Sequence, residues 1–506
     1  MKQSLANSRS GMRQPEHEVV IVGSGFAGIG AGIRLRQAGI TSFVMLESAD
    51  DLGGTWRDNH YPGIAVDIPS STYSFSFEQN PNWSRVFAPG RELFAYAHHC
   101  VDKYGLRPHL RFNTRVEKTV FDEVNRLWEV HDQAGRVMTT RFVISATGYL
   151  TQPKNPDIPG IETFSRPILH TARWDHALDL AGKRVGVIGT GATAVQLVPT
   201  IAPVVKQMHV FQRTPIWIFP KPDADMPHLL QRLYKRLPVA QHSARLATNL
   251  TTEMIMVLGV VYTKQMKPLV KAVEAICLKH LKDQVKDPEV RRKLTPQYGF
   301  GCKRPSFSSE YLKAFNRGNV ELVTEGIERI TPTGVVTRDG VERELDVLVC
   351  ATGFKVFEEG NTPTYKVYGV NGLELGQFWD EQRYQSYQGA SVPDFPNYFT
   401  VMGPYATTGA SWFAMIESQM AHIMRCLVTA RDRKATWVEI RRDVHDAYFD
   451  EIKRRQLSTV FYNNHCGGAN SYYFDRHGDA PFLRPSSGLE LWVRSRYFPI
   501  SNYRFA

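Results

Sequence analysis

Cysteine is scarce in this chain of 506 residues and poorly spaced for chemistry. The six residues Cys100, Cys277, Cys302, Cys350, Cys426 and Cys466 form no Cys-x-x-Cys pair. That excludes a redox dithiol of the usual spacing and paired thiolates for a metal, and it fits a reduced, cytoplasmic setting. Long apolar runs are missing as well. Met254–Tyr262 has nine residues, where about 20 are needed to cross a bilayer. Met1–Pro15 is polar and lacks the apolar core of a secretory signal, so residues 1–16 are expected to be a disordered tail. Like charges never run to five in a row. The excess of 61 basic over 50 acidic side chains, +11, is therefore scattered and does not form a nucleic-acid arm. Contact with nucleic acid or a membrane is not expected. What remains is ordinary globular material, 42% hydrophobic and 22% charged, too long for a single core.

Two glycine-rich segments stand out. Val19-Val20-Ile21-Val22 leads into Gly23-Ser24-Gly25-Phe26-Ala27-Gly28, and Val185-Gly186-Val187-Ile188 leads into Gly189-Thr190-Gly191-Ala192-Thr193-Ala194. Each reads as strand, tight turn and helix start. Such a turn lets the backbone approach a pyrophosphate, with helix N–H groups as donors. One such fingerprint is weak evidence, but two in order argue for electron transfer between two dinucleotides. Their readers have opposite sign. Glu47, 24 positions after Gly23, follows Phe43-Val44-Met45-Leu46 and suits ribose hydroxyls. The matching stretch His209-Val210-Phe211-Gln212-Arg213-Thr214 has no acid. Arg213 and Thr214 there suit a 2′-phosphate, which a carboxylate would repel. The first site therefore reads as FAD and the second as NADPH.

The pattern Ala-Thr-Gly after an apolar strand occurs at Ala146-Thr147-Gly148 and again at Ala351-Thr352-Gly353, as if each closed its module. The fold class expected is α/β, with two nested Rossmann-like dinucleotide-binding domains and a helical insertion. Residues 17–150 and 359–506 would make the FAD-binding domain. Residues 151–224 and 294–358 would make the NADPH-binding domain, with the insertion at 225–293, where apolar residues recur at mixed helical spacing. Thr407-Thr408-Gly409-Ala410 leads into an apolar stretch, Trp412–Leu427, and reads either as a flavin-facing turn or as a plain capped helix.

Further segments carry a family resemblance. Gly53-Gly54-Thr55-Trp56, four spacers, Tyr61-Pro62-Gly63, three spacers and Asp67 match every defining position of a fingerprint of the Baeyer–Villiger monooxygenases. Phe164, His170, Trp174 and Asp175 match a second one, in which Arg166 stands where glycine is expected. The Trp174-Asp175 ending favours this branch over related monooxygenases that oxidise nitrogen or sulfur, which remain the alternative. Phe300-Gly301-Cys302-Lys303-Arg304-Pro305 resembles the family segment that supplies an active-site arginine and a lysine near the NADP phosphate.

The resemblance implies oxidation of a small hydrophobic ketone by O2 to an ester or lactone, through a flavin peroxide whose anionic form attacks the carbonyl. A permanent cation beside that anion lowers its cost, and arginine keeps its proton at neutral pH. Arg304 is expected in that role, with Asp67 fixing its position and also touching the flavin. Gly54, Thr55 and Trp56 are expected at the flavin, and Lys303 at the 2′-phosphate. Tyr73, Gln196 and Met402 complete the expected cofactor-binding set. His170 is expected to be a linker residue outside the chemical step. Pyridine-nucleotide disulfide reduction lacks its dithiol, and a non-enzymatic flavoprotein scaffold is argued against by Arg304, Asp67 and Arg213. The oligomeric state is left open.

Overall fold

The computed structural model describes residues 13–506 except 359 and 410, and the side chains of 256 and 258 are also outside the description. Most of the expected tail, residues 1–16, lies outside the described residues, as does Ala410 of the turn before the late helix.

The first apolar run forms the strand His17–Val22, buried at its C-terminal end. It lies parallel to Phe43–Leu46 on one side and to Val137–Ser145 on the other. Four buried residues in a row fit a strand covered on both faces. The helix Phe26–Gln37 packs over this sheet against a later helix, Trp412–Arg433, and the Phe26 and Phe413 rings lie 4.6 Å apart. After an antiparallel excursion, Val116–Asp122 and Leu127–Asp132, the chain leaves this sheet. It returns much later, when Lys366–Tyr368 pairs with Val116–Asp122 and Tyr398–Thr400 pairs with Val137–Ser145, making eight strands in all.

Between departure and return the chain builds a second, five-stranded parallel sheet. Its order is Val320–Val323, Gln207–Phe211, Arg184–Ile188, Val347–Cys350 and Ile168–His170. The helix Ala192–Ile201 follows its central strand. The molecule is thus α/β with two Rossmann-type units, the second inserted in the chain of the first.

Four helices, His228–Arg236, Pro238–Val260, Lys267–Gln284 and Pro288–Leu294, fill the stretch read as a helical insertion. They do not stand off as an appendage. Arg245 donates to Ser74 O at 2.9 Å and Gln241 to Asn80 O at 2.8 Å, anchoring the long helix on the first unit. Val257, Val261, Trp217, Phe300, Cys302, Val460 and Phe461 share one apolar cluster. That cluster ties the insertion, the segment before Arg304 and the C-terminal segment together. Among the described residues no helix is long and apolar enough to cross a membrane.

Candidate active site

Both glycine turns open into one cavity of about 2130 Å3. Single-ligand pockets span about 300–1,000 Å3, so this space accommodates more than one large molecule. In the first turn Gly23 has φ +104°, and a Cβ there would meet Ala146 O at 2.7 Å. A Cβ on Gly28 would meet Gly23 O at 2.0 Å. The second turn repeats the geometry: Gly189 has φ +113°, and its Cβ would meet Ala351 O at 2.5 Å. Each Ala-Thr-Gly segment therefore presses its alanine carbonyl on the first glycine of a fingerprint. Ala194, at the third-glycine position, is fully buried. Neither following helix has a side-chain cap at its N-terminus. The orphan N–H donors of both first turns suit anionic diphosphates.

On the side of the first glycine turn Ser24, Gly25, Phe26, Ala27, Glu47, Gly54, Thr55, Trp56, Tyr73 and Met402 all line the cavity. Trp56 meets Tyr73 edge-on at 5.5 Å, and Tyr73 meets Phe413 at 5.1 Å. Burial pushes the Tyr73 phenol well above its ordinary pKa. Glu47 is more heavily engaged than the sequence suggests. Its Oε2 accepts from Ser24 N at 3.0 Å and from Ser24 Oγ at 2.7 Å, while Oε1 lies 3.0 Å from Arg57 Nη1. Arg57, a mere spacer in the fingerprint, is the partner of the reader.

On the opposite side Gly191, Ala192, Thr193, Arg213, Thr214 and Lys303 line the same cavity. Thr190 Oγ1 donates to Thr214 O at 2.9 Å, fastening the glycine turn to the reader strand. Thr214 Oγ1 in turn accepts from Asn470 Nδ2 at 2.9 Å. Arg213 and Lys303 form no ion pair among the described residues. Burial, aided by the charge of Arg213, pushes the Lys303 ammonium down to about 8. Two cations in one cavity lining, with no ion-pair partner among the described residues, suit a compact dianion.

Gln196 lines the cavity but spends its amide elsewhere. Its Oε1 accepts from Tyr61 OH at 2.8 Å and its Nε2 donates to Ala65 O at 2.9 Å. Gly63 explains why: with φ +86°, a Cβ there would strike Gln196 O at 2.7 Å and Thr200 Oγ1 at 2.3 Å. The Tyr61-Pro62-Gly63 part of the fingerprint is thus a contact between the two units, with Tyr61 and Gln196 as its latch.

The same fingerprint ends at Asp67, and across the seam stands Arg304. Nη2 of Arg304 lies 2.5 Å and Nε 3.1 Å from Asp67 Oδ2. Both side chains line the cavity. The Asp67 carboxylate holds the guanidinium firmly protonated against the opposing effect of burial. Tyr472 and Tyr473 crowd the same guanidinium. Arg57, Tyr61, Asn470 and Tyr472 were missed in the sequence. The first two sat inside a motif, whereas the last two carried no local signal.

His170 does not line the cavity. It accepts from Ala172 N at 3.1 Å, and burial lowers its pKa. Trp174 and Phe164 are core residues. Arg166 is exposed and is not among the residues with positive φ, so this turn places no left-handed demand on its side chain. The expectation of six reduced thiols needs correction, because Cys302 and Cys466 are joined in a disulfide across 164 residues. The fold brings them together, which no spacing rule foresees. Neither lines the cavity, so the pair does not serve as a flavin-facing dithiol. No cluster of metal-ligating side chains occurs among the described residues.

Comparison with known proteins agrees with this arrangement. A family model described as pyridine nucleotide-disulphide oxidoreductase matches residues 20–268. A Baeyer–Villiger monooxygenase of Pseudomonas aeruginosa is 39% identical over 94% of this chain and 87% of its own length. One of Streptomyces coelicolor is 39% identical over 97% of this chain and 93% of its own. Among solved structures, OTEMO in complex with FAD and NADP superposes with a TM-score of 0.85 at 29% identity, covering 98% of this chain and all of the other. Cyclohexanone monooxygenase from Rhodococcus sp. Phi1 bound to NADP+ gives 0.85 at 28%, covering 97% and 99%. With its paired glycine turns and the Arg304–Asp67 contact between them, this chain belongs to the Baeyer–Villiger monooxygenase family.

Proposed function

We propose that the protein is an FAD-containing, NADPH- and O2-dependent Baeyer–Villiger monooxygenase that turns a small hydrophobic ketone into an ester or lactone, acting in the cytoplasm. The observation that carries this reading is the Arg304–Asp67 pair, set across the seam at the cavity into which both glycine turns open. When bound, FAD accepts two electrons from NADPH and, once reduced, reacts with O2.

The chain's own residues do the rest. The turn Gly23–Gly28 and its uncapped helix would hold the flavin diphosphate, and Glu47, steadied by Ser24 and Arg57, would accept from ribose hydroxyls. The turn Gly189–Thr193 receives the second diphosphate, and Arg213 with Lys303 holds the 2′-phosphate. Gln196 and Tyr61 hold the two units in register. Arg304 keeps its proton and places a fixed positive charge where negative charge develops on oxygen during carbonyl addition. Asp67 fixes that charge in direction, which avoids reorganisation at the moment of reaction. The apolar lining from Val260, Phe300, Trp412, Phe461 and Phe482 suits an apolar ketone.

Incubation of the flavin-loaded protein with NADPH, isotopically labelled O2 and a panel of ketones, amines and sulfides tests the reading. The expected product is an ester or lactone carrying one labelled oxygen. Exclusive N- or S-oxide formation would overturn it.

A further inference from the structure

Of the six cysteines, Cys100, Cys277, Cys350 and Cys426 are free and buried, and burial raises each thiol, Cys350 to about 11 and Cys277 to about 12. Such thiols form little thiolate and react slowly. Cys302 and Cys466 differ in bonding and in place. They are bonded to each other, and Cys302 immediately precedes Lys303 and Arg304. Cys302 is fully buried, whereas Cys466 is half-buried between exposed His465 and Gly467.

The bond joins two segments that meet at the active-site cations. Gly299 N donates to His465 O at 3.0 Å, beside the disulfide. Beyond Cys466 the chain continues to Asn470, which bonds Thr214 of the 2′-phosphate reader, and to Tyr472, which lies against Arg304. One covalent link thus sits at the root of two segments that together surround Arg304, Lys303 and Thr214. Apart from it, the 464–474 stretch is held near the site by a few polar contacts and by Ala469, Tyr473 and their neighbours in the shared apolar cluster.

We propose that Cys302–Cys466 is a redox-controlled positioning element for Arg304 and the 2′-phosphate site, an inference that rests on the function proposed above. In the disulfide form residues 464–474 are tethered over the cations. Reduction releases them, so that Asn470 and Tyr472 leave their partners more often. A small dithiol reduces the bond by thiolate attack on the sulfur of Cys466, the less buried of the two residues. The S–S bond breaks, Cys302 leaves as thiolate and takes a proton, and the second thiol of the reductant then frees Cys466 as its own disulfide closes. Hydrogen peroxide, released when oxygen is reduced without substrate oxidation, reverses the change. Attack by the Cys466 thiolate cleaves the O–O bond, giving a sulfenic acid and hydroxide, which is protonated to water. Cys302 displaces the second oxygen as water, so two thiols and one peroxide give one disulfide and two waters. The enzyme thereby gains a tighter site under the conditions that waste NADPH.

The test uses the full-length flavin-loaded protein, treated with dithiothreitol or hydrogen peroxide, then alkylated and digested. Cys302 and Cys466 are expected to be alkylated after the dithiol and protected after peroxide. Amide exchange over residues 464–474 is expected to be about tenfold faster in the reduced form, as for a segment released from a tether. The dissociation constant for NADPH is expected to rise about three- to tenfold on reduction, the equivalent of one weakened hydrogen bond. Cys466→Ser is expected to show the reduced values under both treatments. Because Cys466 is half-buried, Cys466→Ala serves as a second variant, and the wild type under the two treatments needs no substitution. Full alkylation of both thiols after peroxide would overturn the proposal, as would a disulfide that changes neither exchange nor NADPH affinity. None of these readouts needs the ketone, so their failure is distinct from absence of ester formation, which would count against the function itself.

Discussion

The two dinucleotide modules are near copies at the glycine turn and opposites in the charge carried just beyond the second strand, Glu47 in one and Arg213 in the other. In the first, Glu47 is held by Ser24 and by Arg57, a cation it shares with Asp58, so its charge has a partner within the protein before any ligand arrives. In the second, Arg213 and Lys303 line the same cavity with no ion-pair partner among the described residues, and burial, aided by the charge of Arg213, pushes Lys303 down to about 8. A site balanced from within retains its geometry whether empty or full, which suits a resident flavin. A site with unbalanced charge is stabilised by the anion it binds and relaxes when that anion leaves, which suits a cofactor that must come and go. Between them runs the seam where Arg304 of one unit meets Asp67 of the other.

The seam gives the largest expected effect. Arg304→Ala removes the fixed charge but leaves both glycine turns intact. Flavin reduction by NADPH is expected to persist in stopped-flow absorbance, while ester formation falls by about 10²–10³-fold, as when one preorganised donor to a developing oxyanion is lost. Wild-type ester yield in that variant would show that the seam positions cofactors but does not take part in oxygen transfer.

The next effect separates the modules. Arg213→Ala is expected to weaken NADPH by about ten- to a hundredfold, the worth of one charged phosphate contact, with NADH and FAD binding little changed. Titration calorimetry with both nicotinamides checks it. Equal loss for NADH would mean that Arg213 supports the strand and does not read the phosphate.

A pH series sharpens the same contrast. Below about 8, Lys303 is charged with or without ligand, so NADPH affinity is expected to be flat on its account. Above that value the free side chain is neutral and binding the dianion must draw in a proton. The dissociation constant then rises about tenfold per pH unit until the raised pKa of the complex is reached. Lys303→Met is expected to bind more weakly at pH 7 and to lose this dependence. An unchanged slope would place the titration elsewhere.

The sequence disclosed the placement of the candidate site residues wherever it was written locally. A glycine that must turn with positive φ, a reader of one sign at the end of a strand and a fingerprint ending at Asp67 are all short-range constraints. The structure puts Gly23, Gly189, Glu47, Arg213, Lys303 and Arg304 around one cavity. What stayed hidden depends on long-range approach. Arg57 gains meaning only when the Gly53–Asp58 turn folds back on Glu47, and Gln196 only when its helix meets Gly63. Cys302 and Cys466 are close only because the C-terminal segment returns to the cluster of Trp217, Phe300 and Val460. Asn470 and Tyr472 reach the site by the same return, and no periodicity or spacing in the last fifty or so residues marks them.

The smallest expected effect concerns Arg166, the departure from the second fingerprint. If glycine were required there for a left-handed turn, arginine would strain the link between the modules, and Arg166→Gly would be a repair. The structure removes that requirement: Arg166 is exposed and has no positive φ, and neighbouring Ser165 anchors the turn through N and Oγ bonds to Pro332 O at 3.0 and 2.7 Å. Glycine then only enlarges the freedom of the unfolded chain, costing about 0.5–1 kcal/mol of stability. Activity is expected to stay within about twofold, as for surface changes away from a built contact. Steady-state ester formation and a thermal melt measure both. A large gain in turnover would mean that the arginine had been restraining the movement of one module against the other. Abolished ester formation would mean that its side chain has a partner in the working enzyme.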